Sequence, residues 1–145
     1  MAESAAAPRR RPVAIVRHPI YSMLLPVPVV CFIGALLTDL SYVNSGGNLM
    51  WLNFSSWLIS AGLLFGAIAG LFLLIDLLGR AGSGGGWPAF LLLVAAWIVE
   101  LINAFAHARD GWTAVVPLGL TLSIIGTLLI LVAAWLHRPA VEVVP

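Results

Sequence analysis

Charge is what this sequence has least of. Only 9% of its 145 residues are charged, against about 25% in soluble domains, and its mean hydropathy of +1.06 is far above theirs. A chain so poor in charge has lipid as its solvent. Lysine is missing altogether: the seven basic residues are all Arg and the net charge is +1. No dispersed cationic face is therefore offered to nucleic acid, which is set aside as a partner. Cysteine occurs once, as Cys31, which removes any intramolecular disulfide and any Cys-based metal motif and leaves a small packing residue. A Gly-rich run, Gly79 to Gly86, has no Lys-Ser/Thr after it and no strand before it. It reads as a flexible linker, not a phosphate cradle.

What is present in quantity is apolar length. Four runs are each long enough to cross about 30 Å of hydrocarbon, which takes about 20 helical residues; they cover residues 22–42, 57–78, 88–107 and 114–136. Short connections make an all-α integral membrane protein, a four-transmembrane-helix up-down antiparallel bundle. Residues 18–138 form that domain. Residues 1–17 read as a disordered basic tail ending near Arg9-Arg10-Arg11, a cytoplasmic anchor in preference to a signal peptide, and residues 139–145 as a short C-terminal tail.

Arginine position sets the expected orientation. With an even number of spans, Arg9, Arg10, Arg11, Arg17, Arg80 and Arg138 fall on one side and Arg109 alone on the other. The positive-inside bias places both termini in the cytoplasm, in a multi-pass protein of the bacterial inner membrane. The Asn44 loop and the turn between the third and fourth spans then face outward.

Local signals refine each span. Pro26 and Pro28 are expected to kink or delay the first helix, and Ser41 to Ser55 reads as a turn-rich loop, with Ser55-Ser56 as N-caps of the second helix and Trp51 and Trp57 as an aromatic belt. Gly62, Gly66 and Gly70 line one face of the second span, and Gly119, Ser123 and Thr127 one face of the fourth. Both are close-packing stripes. Asp76 and Arg80 are placed to pair at an interface.

Polar chemistry concentrates between the third and fourth spans. Glu100, Asn103 and His107 share one face of the third helix, and Glu100 lies about two turns inside the membrane, where an acid must face the bundle or a partner. Asp39 stands at similar depth on the first helix. With Arg109, Asp110 and Trp112 they are expected to form one outer-leaflet polar cluster. Two readings compete for it. In one, Arg109 pairs with Asp110 or Asp39, Asn103 bonds across helices, and the cluster fixes register. In the other, His107 and Glu100 handle protons or bind a ligand such as a quinone head group. Haem b ligation within one chain would fall to His18 and His137, since His107 lies on the opposite side of the membrane. His18 reads first as an interfacial residue.

The chain resembles the bacterial four-helix membrane proteins grouped as domain of unknown function 2231. The resemblance rests on His18-Pro19-Ile20 with Leu24-Leu25-Pro26-Val27-Pro28 and Asp39, on Asn103 to Pro117, and on Leu122-Ser123-Ile124-Ile125-Gly126 leading to Trp135-Leu136. Members usually open with His-Pro-x-His-Pro; here Tyr21-Ser22 replaces the second pair, and His137-Arg138-Pro139 replaces a Gly-rich Tyr-Arg-His ending, which weakens a metal or haem role. The resemblance implies a protein found alongside periplasmic quinoprotein sugar dehydrogenases and cytochromes. The function expected is a non-catalytic accessory or anchor subunit of an envelope redox or energy-transducing complex. A small electron carrier using quinone or haem is the alternative, and a channel or transporter ranks third because no internal repeat or buried charge path is visible.

Overall fold

The computed structural model describes residues 23–79, 86–110 and 114–136. Among them every regular element is helical: α1 Pro26–Asn44, α2 Leu49–Gly79, α3 Trp87–His107 and α4 Leu120–Leu136, with a kinked turn Val115–Gly119 leading into α4. Among the described residues four helices are long and apolar enough to cross a membrane, the kinked turn and α4 together making the fourth.

Each helix buries one stripe in alternating steps of four and three residues. On α1 it is Pro28, Phe32, Ala35, Asp39 and Tyr42; on α2, Ser55, Ile59, Gly62, Gly66, Ala69 and Leu73. On α3 it is Ala89, Leu93, Ala96, Glu100, Asn103 and His107, and on the fourth span Gly119, Ser123, Gly126, Ile130 and Ala133. That period of 3.5 residues is the seam of a left-handed bundle with near-antiparallel crossings. The helices pack in ring order, α1 on α2, α2 on α3, α3 on α4 and α4 on α1. Only 28–33% of each span is buried, so most of every helix, including Leu64, Leu91, Phe105 and Leu128, presents apolar side chains outward. In water such a surface would drive aggregation; in lipid it is matched.

The core is divided along its length. Toward the start of α1, Phe32, Ala69, Leu73, Leu93, Ala96, Ile130 and Ala133 form an apolar cluster. Toward its end the same stripes carry Asp39, Ser55, Glu100, Asn103, His107 and Ser123.

Several local expectations are revised. Pro26 and Pro28 stand in the first turn of α1, which begins at Pro26, where a missing N–H donor costs nothing. The connection from α1 to α2 is only Ser45 to Asn48, because Gly46 and Gly47 at positive φ turn the chain at once and Asn48 Oδ1 accepts from Met50 N at 3.0 Å. Residues 49–56 are therefore helical, and Ser55 is a buried mid-helix residue instead of an N-cap. Trp51 sits in the first turn beside Phe54 and Trp57 lies on the outer face of α2. Of the α2 glycines, a Cβ on Gly62 would overlap Phe32, and one on Gly66 would touch Trp97 Cδ1 at 3.4 Å and Pro28 at 3.5 Å. Gly70 meets nothing nearer than Leu93 at 4.0 Å; the strict four-residue spacing has carried it off the 3.5-residue seam. Trp97 ties α3 to α2 through Nε1, which donates to the Leu63 carbonyl at 2.9 Å. The 1–17 and 139–145 tails, most of the Gly-rich linker and Arg80, the proposed partner of Asp76, lie outside the described residues.

Candidate functional site

All four helices contribute to one buried polar network. Its centre is Asp39 on α1, 0% exposed. Oδ1 lies 2.9 Å from His107 Nε2, and Oδ2 accepts the Ser123 hydroxyl in a short hydrogen bond. Ser123 Oγ accepts in turn from Asn103 Nδ2 at 2.8 Å, and the second hydrogen of that amide goes to Glu100 Oε2 at 3.0 Å. The chain of contacts thus runs His107, Asp39, Ser123, Asn103, Glu100.

His107 is held at both ring nitrogens. Nδ1 lies 3.0 Å from the Asn103 carbonyl oxygen, which can only accept, so Nδ1 carries hydrogen. Nε2 faces Asp39 and lies 3.3 Å from Ser55 Oγ, which is itself 3.4 Å from the Ala35 carbonyl. One proton is then shared between Nε2 and Oδ1, as imidazolium and carboxylate or as imidazole and carboxylic acid. Close by, Thr127 Oγ1 donates to the Phe32 carbonyl at 3.2 Å, joining α4 to α1.

The fourth span makes room for these side chains by being small. A Cβ on Gly119 would lie 2.8 Å from His107 Cε1, and one on Gly126 would overlap the Glu100 carboxyl group. Gly119, Ser123 and Gly126 recur at four and three residues, facing His107, Asn103 and Glu100 in antiparallel order. The stripe read from sequence as a packing surface is the receptor face for the polar stripe of α3.

Of the expected cluster, Asp39, Glu100, Asn103 and His107 are brought together, with exposures of 0–4%. Arg109 and Asp110 are exposed past the end of α3. Asp39 is thus paired with His107, not with Arg109, because His107 is the residue that falls on the buried seam. Trp112, His18 and His137 lie outside the described residues. Two members were missed as site residues. Sequence places Ser123 only in a close-packing stripe and Ser55 only as a cap; the signal for Ser55 is its place on the 55, 59, 62, 66 seam.

A quinone head group does not fit this cluster as it stands. Asp39, Glu100, Asn103 and His107 are closed from the surface and largely bonded to one another. Nor does His107 offer iron a ring nitrogen, both being engaged.

Comparison with known proteins places the chain. A family model described as "Predicted membrane protein (DUF2231)" matches residues 17–141. The chain belongs to this family. The match spans all four helices and every member of the network. No curated protein and no solved structure matches the chain. Of the three sequence blocks that resemble DUF2231, the one from Asn103 to Pro117 holds two network residues, Asn103 and His107, together with the wide turn that delivers the fourth span. In that turn Val116 takes an extended conformation, φ −115° and ψ 126°, as a residue before proline prefers.

Proposed function

We propose that this DUF2231 protein is a non-catalytic accessory subunit of a bacterial envelope redox or energy-transducing complex, embedded in the inner membrane. In this reading the buried network sets the register of four helices, and the exposed end of α3, Ala108 to Asp110, docks a partner. The observation that carries it is the split between closed and open polar groups. Asp39, Glu100, Asn103 and His107 are sealed inside the bundle, whereas Arg109 and Asp110 stand at its surface. Polar side chains shared across helices are an established means of fixing helix association in lipid, and a charged pair at the rim suits partner choice more than affinity.

The experiment is site-specific photocrosslinking in native membranes with the reactive group at position 109, and a control group at position 45 in the other turn on that side. A crosslink at 109 to a dehydrogenase or cytochrome subunit, weakened by Arg109→Glu in the co-purified complex, is the expected result. A monodisperse protein that crosslinks to no redox protein from 109 overturns the reading. An electron carrier is separated by its spectrum: a Soret band or bound quinone in the purified chain would favour that function over docking.

A further inference from the structure

The two carboxylates of the network are served unequally. Asp39 has one partner on each oxygen, His107 Nε2 on Oδ1 and Ser123 Oγ on Oδ2. Glu100 has Asn103 Nδ2 on Oε2, while Oε1 is buried with no hydrogen-bond partner, as is Asn103 Oδ1. The Glu100 side chain is 0% exposed. Its carboxyl group fits where it does because residue 126 is glycine. A buried acceptor oxygen without a donor is among the costliest arrangements a polar group can adopt. The smallest partner able to complete it is a proton.

We propose that Glu100 is a proton-binding site, taking up and releasing one proton at its carboxyl group beside the Asp39–His107 pair, which shares its own proton. Uptake converts the carboxylate to the carboxylic acid and release reverses it; no other bond changes. Glu100 lies seven residues, about 10 Å along the helix, from the end of α3 at His107. The groups packed around Glu100 make its charge consequential. Helix α1 contributes Asp39, with Tyr42 one turn further on the same stripe, and α3 contributes His107 and Asn103. The fourth span brings Gly126 against the carboxyl group and Ser123 through Asn103, and the buried stripe of α2, Ser55 included, carries nothing ionisable near neutral pH. Among the described residues, the other buried groups ionisable near neutral pH are Asp39 and His107. A proton bound at Glu100 removes its negative charge from the interior at the place where its carboxyl group lies against Gly126, so occupancy changes the charge at the contact of α3 with α4.

The test is infrared difference spectroscopy between low and high pH on the full-length protein in lipid nanodiscs, with and without glutamate labelled with ¹³C at the side-chain carboxyl. Of the glutamates Glu3, Glu100 and Glu142, Glu100 is the one in a described helix. The expected result is a protonated-carboxyl carbonyl band that shifts on glutamate labelling and in D₂O and weakens as pH rises. It should vanish in Glu100→Gln and persist in Asp39→Asn. A band insensitive to glutamate labelling, one unchanged by pH and D₂O, or one retained in Glu100→Gln overturns the proposal. The isotope arm uses the unmutated chain, so it decides the matter even where a variant fails to assemble.

Discussion

Asp39 is bonded at both oxygens by residues from two other helices, so its partners carry unequal consequences when removed. His107→Ala leaves Oδ1 without its partner at a site with 0% exposure, which is expected to destabilise the fold by about 3–5 kcal/mol. Replacing both residues by leucine should cost less than His107→Ala alone, because no orphaned charge remains. Unfolding in mixed SDS micelles measures both, and equal losses would show that the two residues do not act as a pair. Ser55 makes only long contacts, 3.3 and 3.4 Å, so Ser55→Ala is expected to cost about 0.6 kcal/mol, the usual scale of an interhelical hydrogen bond in lipid. At this scale the sequence disclosed the polar face of α3, since Glu100, Asn103 and His107 share a side by helix period alone. It did not disclose that Asp39 would choose His107 over Arg109. That choice depends on which group is inside after the helices close, and local spacing does not encode it.

At the scale of elements, the seams of the four helices explain which glycines matter. Gly62→Ala is expected to lower stability by about 1–3 kcal/mol, the usual cost of overpacking, since its Cβ would overlap Phe32. Gly70→Ala should be neutral or slightly stabilising, with its nearest contact at 4.0 Å and glycine's helix penalty removed. The same unfolding assay distinguishes them, and equal effects would contradict the packing described. Gly126→Ala should be destabilising in the fourth span, since its Cβ would overlap the Glu100 carboxyl group, and Glu100→Ala should partly rescue it. The sequence showed four helices and their approximate ends because apolar length is a strong signal. It misplaced the start of α2 by eight residues: the serines at 55 and 56 resemble caps, while Asn48 takes the cap and the apolar-polar mixture of residues 49–56 folds as helix because Ser55 has a buried seam to enter.

For the whole molecule, orientation is the property that links the network to a side of the membrane. In a Cys31→Ser background, single cysteines at Ser45 and Arg109 should react with an impermeant thiol reagent added to the periplasmic face, and a cysteine at Ser83 only after the membrane is opened. The reverse pattern would invert the topology and move the docking surface to the cytoplasm. Positive-inside counting supports the first arrangement through six arginines against one.

The sequence by itself determined the solvent, the number of spans, the family and the helix face that carries the acids and histidine. Those follow from composition and from period, which need no knowledge of neighbours. Tertiary structure alone decided that the polar face would be sealed, that Gly119, Ser123 and Gly126 would receive it, and that one carboxylate would be bonded at both oxygens while the other kept an open one. The physical reason is that desolvation and hydrogen-bond pairing belong to the contact between helices, and a residue's chemistry there is set by what the opposite helix leaves room for.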